Sequence, residues 1–455
     1  MKTLSKKILT GCLAVCMAGL CACSPSVGSS AKPDADVTTD RGPTATETAL
    51  PTEQPTEEPH KGSAALSLLQ SGYPLGTPSD SGYYYLQYRD DAALNICYID
   101  YASNQQLVLC SQPNCLHDSD ACAAWVPYAG STAGVYAINE KLCLIHYGSL
   151  TTTDYKLFGK DAAPSIEIRN ADGTNATTLL QLPANTYFSG LFATDGDFLY
   201  GMLKELQTSE NRKVNVATKL VKISLQDGSL ETIREMTQMD PSIVGASGHT
   251  LALSYYQTDP TGEDALPTTR FYESYDTTTG TVTPLCSVSL SEGTCICVGD
   301  ELLSLDRATH EVTSYSLQTG EKQVLYTLPL DDYSDAYCSY ALPDSVMLLL
   351  YPNDADSGVV HALLSVDTGE LVNITQLMDS DETSGGKTRK VEIAAEYEEN
   401  FLILSGIRYQ TAVFKTGENE SIGLPTESYE FSTISRDDFL NHTNAFNRIT
   451  NLNDS

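Results

Sequence analysis

Val312-Thr-Ser-Tyr-Ser-Leu-Gln-Thr-Gly320 sets the fold of this chain. Apolar and polar residues alternate over its first half, the pattern of a half-buried strand, and the second half ends in a turn glycine. Six related stretches share the layout. Ile96-Cys-Tyr-Ile-Asp-Tyr-Ala-Ser-Asn104, Ile166-Glu-Ile-Arg-Asn-Ala-Asp-Gly173 and Leu220-Val-Lys-Ile-Ser-Leu-Gln-Asp-Gly228 precede it. Phe271-Tyr-Glu-Ser-Tyr-Asp-Thr-Thr-Thr-Gly280, Leu363-Leu-Ser-Val-Asp-Thr-Gly369 and Thr411-Ala-Val-Phe-Lys-Thr-Gly417 complete the set. Asn104 replaces glycine in the first copy and tolerates the same left-handed turn. From Gly173 to Gly417 the turn glycines stand 40 to 55 residues apart. That period suits one four-stranded propeller blade.

Working outward, a second turn and strand stand before most copies, as in Thr194-Asp-Gly-Asp-Phe-Leu-Tyr200, Val298-Gly-Asp-Glu-Leu-Leu-Ser304 and Tyr397-Glu-Glu-Asn-Phe-Leu-Ile403. These are the inner hairpins. Helical periodicity is almost missing, so the class is all-β and the expected architecture is a β-propeller of seven four-stranded blades over residues 63–435. Six or eight blades, or a pair of β-sandwiches, are the alternatives. A ring must close, because an open edge strand invites aggregation. Tyr429-Glu-Phe-Ser-Thr-Ile-Ser435 is expected to close it as innermost strand of the first blade, since residues 63–80 read as irregular. Ser435-Arg-Asp-Asp438 reads as an N-cap with acidic residues in the first turn, so residues 436–455 should be a short helix and a fraying polar tail.

At the other end stand Lys2, Lys6 and Lys7, then an apolar stretch of about 13 residues, below the roughly 20 needed to span a bilayer. Leu20-Cys-Ala-Cys23 resembles the lipobox of bacterial lipoproteins. That resemblance implies a signal peptide at 1–22, diacylglycerol on Cys23, and an extracytoplasmic protein anchored to the cell membrane. Cys21 departs from the usual Ala or Ser, and plain secretion after Ala22 is the alternative. Residues 23–62 are rich in Ser, Thr, Pro and Glu and read as a disordered stalk.

The 59 acidic and 27 basic residues leave a net charge of −32. Such a surface repels phosphate backbones, which excludes nucleic acid as a partner. Taken together, the stalk, the repeat, the cysteine-rich insert of the first blade and the ending Ile434-Ser-Arg-Asp-Asp-Phe439 resemble TolB-like and YWTD-like propeller domains. They resemble in particular the surface lipoproteins of gut Firmicutes. The resemblance implies fold and location and no established reaction.

The insert, Leu109-Cys-Ser-Gln-Pro-Asn-Cys-Leu-His-Asp-Ser-Asp-Ala-Cys122, crowds four ligand types into one loop. Cys110, Cys115, His117 and Cys122 are the donors a tetrahedral structural zinc takes, with no position left for a catalytic water. Their spacing departs from paired Cys-x-x-Cys patterns, and a disulfide is the rival outside the cytoplasm. Trp125, the only tryptophan, either packs the insert down or contacts a ligand. Cys97, Cys143, Cys286, Cys295, Cys297 and Cys338 read as buried core thiols.

No nucleophile elbow, His-Glu-x-x-His pair, phosphate loop or dinucleotide fingerprint occurs. The expected function is therefore non-catalytic binding or scaffolding for a glycan, peptide or envelope protein. The alternative is an extracellular hydrolase or lyase acting on polysaccharide or peptide, and two carboxylates converging with a basic residue would favour it.

Overall fold

The computed structural model describes residues 65–69, 76–128, 132–208, 214–257, 268–354, 357–379, 389–416 and 421–451. All lie in the unit His60–Ser455. The expected signal peptide, lipidated Cys23 and stalk lie outside the described residues.

Seven four-stranded antiparallel meanders follow one another along the chain, two of them joined through the strand Leu66–Leu69 into one nine-stranded sheet. Blade one takes residues 76–108, blade two 133–181, blade three 186–236 and blade four 239–289; blades five, six and seven take 293–327, 333–373 and 392–448. The fold is a seven-bladed β-propeller. The quoted repeat forms the third strand and the turn to the outer strand in blades one to six. Asn104 and Gly173, Gly228, Gly280, Gly320 and Gly369 all have φ between +53° and +80°, as the turn requires. In blade four Asp276 explains the local sequence: its carboxylate accepts from the N–H groups of Thr278 and Thr279, each at 2.8 Å. With Thr278 Oγ1 as its first partner, that carboxyl is held down at about 2.

Each pair of neighbouring blades shares one apolar cluster, so burial continues round the circle. Ile96 and Leu144 join blades one and two, and Ile166 and Phe192 join two and three. Met202 and Leu253 join three and four, Tyr272 and Leu302 four and five, and Leu305 and Leu348 five and six. Met347, Phe401, Phe431, Tyr83 and Tyr85 carry the core from blade six through seven to one. The ring closes by packing.

Several expectations change. Residues 421–435, whose end was read as the closing strand, instead form the third strand of blade seven, paired along the whole of Asn400–Lys415. Blade one owns its innermost strand, Gly76–Pro78. The stretch Thr411–Lys415 therefore ends the second strand of blade seven, and the turn after its third strand is the helix Arg436–Leu440. Ser435 caps that helix by accepting from Asp438 N at 3.1 Å. As far as Asn451 the tail is ordered: Asn447–Arg448 is the outer strand of blade seven, and Thr450–Asn451 pairs parallel to Gln105 and Gln106 of blade one. The propeller thus runs past 435.

Leu66–Leu69, expected to be irregular, is a strand held between the innermost strands of blades three and four. Its Leu66 and Leu69 each enter a core cluster. Two apolar side chains and two open strand edges are enough to order so short a segment.

Candidate functional site

The insert leaves the outer edge of blade one at Leu109 and returns at Ala124. Ile96 pinches its neck, donating its N–H to Ala124 O at 2.8 Å and accepting from Leu109 N at 2.9 Å. Within the loop, Asn114 and His117 adopt φ of +58° and +54°, turning the backbone back on itself. The ligand atoms of Cys110, Cys115, His117 and Cys122 then all lie within 4.8 Å of one another. A tetrahedron with metal–sulfur bonds of about 2.3 Å has edges of about 3.8 Å, so the group matches a four-coordinate site. Every one of the nine cysteines among the described residues is a free thiol.

Electrostatics suit metal binding. The backbone N–H groups of His117 and Ala124 point at the sulfurs of Cys115 and Cys122, both at 3.4 Å. His117 Nδ1 stands 3.3 Å from Cys122 Sγ. Burial, then the nearby charge of Arg89, lowers His117, which leaves its imidazole neutral at pH 7. Burial pushes the Cys110 thiol up, but N–H groups and neighbouring thiols outweigh it and the net shift is downward. Burial drives Cys122 the other way, to about 12. A cation at the centre would favour every thiolate at once. This Cys/His cluster could hold a metal.

The loop is tied to blade two through Arg169, only 5% exposed. Its guanidinium contacts Glu167 and donates to Ala123 O at 2.6 Å and to Trp125 O at 3.3 Å. Trp125 pairs with Asn95 on the third strand of blade one and packs, half-buried, on the apolar cluster between blades one and two. Of the remaining thiols, Cys97, Cys143 and Cys297 are buried, while Cys286, Cys295 and Cys338 are half-buried.

A second feature was invisible in the sequence. Where blade seven meets blade one, a cleft of about 590 Å³ opens, lined by Gln87, Arg89, Gln106, Arg408, Tyr429 and Arg448 among others. Its wall is the long hairpin of blade seven. That hairpin leans onto blade one, with Val413 N donating to Asp90 O at 2.6 Å. Phe414 near its tip packs on Tyr128 and on Phe158, the last residue of the helix Thr152–Phe158. Gln87 stitches the two blades, donating to Glu427 O at 3.0 Å and accepting from Tyr429 N at 3.2 Å.

In blade seven itself, burial raises the Glu392 carboxyl, with Arg389 opposing and Glu427 adding to the effect. Arg389 Nη1 also donates to Tyr409 Oη at 2.7 Å. Arg389 and Glu427 thus both act on the charge of Glu392.

No protein-family model and no curated protein matches the sequence, so the likeness to surface lipoproteins of gut Firmicutes rests on sequence features alone. Solved structures do match. An oligogalacturonate lyase in complex with manganese is similar over 74% of this chain and 83% of its own, at 11% identity and a TM-score of 0.42. TolB from Acinetobacter baumannii is similar over 78% of this chain and 76% of its own, at 10% identity and a TM-score of 0.33. An acylaminoacyl peptidase of Pyrococcus horikoshii gives 13% identity and a TM-score of 0.38 over 64% of this chain, which spans 52% of that longer one. The likeness brings no activity to this chain.

Proposed function

We propose that this protein is an extracytoplasmic lipoprotein, anchored in the membrane through Cys23, whose propeller binds a glycan, peptide or envelope protein without transforming it. The cleft at the seam of blades one and seven carries this reading. It is large enough for a small ligand, offers hydrogen-bonding side chains of both kinds, and lies between two blades. Cys110, Cys115, His117 and Cys122 hold one structural zinc in this reading; four protein donors close the coordination sphere and leave no place for a reacting water.

Two experiments test it. The full chain, immobilised in detergent, is offered an array of glycans and peptides; retention that falls in Arg408→Ala and Arg448→Ala supports the cleft, and retention indifferent to both rejects it. Native mass spectrometry should find one zinc per chain, lost in Cys115→Ser, and a metal-free protein with paired cysteines would replace the zinc by a disulfide.

A second reading rests on Glu392. A carboxyl raised by burial beside Glu427, Arg389 and Tyr409 is the kind of group that acts as a general acid in hydrolases and lyases. Turnover of a polysaccharide or peptide that vanishes in Glu392→Gln would establish it in place of pure binding.

A further inference from the structure

The cleft lining is richer in cations than the chain as a whole. The whole sequence holds 59 acidic residues to 27 basic. The cleft lining holds Arg89, Arg408 and Arg448 against Asp90 and Glu430. All three cations are arginine, whose planar fork matches a carboxylate in two-point contact, where lysine offers a point charge.

Those arginines are held by partners that a ligand can replace. Arg408 contacts Glu430 and Arg448 contacts Asp379, yet the two guanidinium side chains are 64% and 75% exposed. Exposed pairs of this kind contribute little, so exchanging one carboxylate for another costs little. Arg89 is steadier, donating to Leu116 O at 3.4 Å and to Asp91 at 3.2 Å. Gln106 and Gln410 share the lining, each with a donor and an acceptor, the pairing that hydroxyl groups need. Half-buried Tyr88 and Tyr429 add flat apolar surface beside them.

Carboxylate-binding forks, amides for hydroxyls and ring faces occur together in one cleft. We infer that it binds an acidic saccharide, with Arg408 and Arg448 taking its carboxylates and Gln106 and Gln410 its hydroxyls. This rests on the reading of the cleft as the binding site.

The test is calorimetry on the full chain in detergent with three probes: a hexameric oligoglucuronate, cellohexaose and inorganic phosphate. The oligoglucuronate should bind saturably and weaken with added salt, and each of Arg408→Ala and Arg448→Ala should weaken it about tenfold, the effect of losing one hydrogen bond to a charged group. Cellohexaose and phosphate should bind far more weakly. Cellohexaose binding equally well, and lost in Tyr88→Ala, overturns the acidic assignment while leaving the cleft as the site. Phosphate displacing the oligoglucuronate at equal concentration overturns the carboxylate assignment. Oligoglucuronate binding unchanged in both arginine variants sinks the inference and the cleft together.

Discussion

Replacing Gly228 and Gly280 separately by alanine asks whether the turns of this propeller are local devices or joints between blades. Both glycines have φ of +71°, so either alanine suffers the left-handed strain, about 1–2 kcal/mol, partly offset by a stiffer unfolded chain. At Gly280 nothing more is expected, because an added Cβ would meet only Tyr275 Oη at 3.8 Å. At Gly228 the same carbon would stand 2.1 Å from the carbonyl oxygen of Leu179, on the outer strand of blade two. Backbone stands on both sides of that contact, so no rotamer relieves it, and blades two and three must part by more than an ångström. Overpacking of this kind costs roughly 1–3 kcal/mol on top of the strain. Gly280→Ala should therefore lose about 1 kcal/mol and Gly228→Ala roughly 2–4 kcal/mol. Urea unfolding of the full chain, followed by circular dichroism and by the fluorescence of Trp125, measures both. Equal losses would refute the reasoning, since the close approach of Leu179 would then carry no energy.

Other perturbations report on the insert and its surroundings. Arg169→Ala leaves Ala123 O and Trp125 O without their buried donor, and should cost roughly 2–4 kcal/mol and shift Trp125 emission; an unchanged spectrum would detach the insert from blade two. Phe414→Ser removes the ring shared with Tyr128 and Phe158 and should speed limited proteolysis of the blade-seven hairpin without altering the global unfolding midpoint. The Asp276 carboxyl is lower folded than unfolded, so its contribution is present above about pH 4 and fades as pH falls through about 2. The stability gap between wild type and Asp276→Asn should accordingly close in that acid window, and a constant gap would contradict the turn's role.

The candidate sites divide by sequence distance. Cys110, Cys115, His117 and Cys122 lie within 13 residues, so a loop with a pinched neck can bring their donor atoms together with little help from elsewhere. Their proximity was legible in the sequence. The cleft was not: Gln87 meets Tyr429, 342 positions along the chain, and nothing in either neighbourhood announces the other. Glu392, Glu427, Arg389 and Tyr409 were hidden for the same reason, four ordinary polar residues until pairing in blade seven sets Tyr409 opposite Glu427 and Arg389 reaches Tyr409.

The repeat determined blades one to six and their turn positions, because each blade is a local meander whose hydrogen bonds join stretches close in sequence, and its apolar alternation is written directly in the residues. Blade seven shows the limit. Thr411–Lys415 carries the repeat's pattern but pairs as the end of a second strand, since alternation marks a strand without saying which neighbour it takes. Ring closure, the seat of Leu66–Leu69 between blades three and four, and the order of the tail beside Gln105 were decided only by the tertiary structure. Each depends on which open edge and which apolar gap remain after the seven blades have packed, and that remainder belongs to the assembled ring, not to any stretch of sequence.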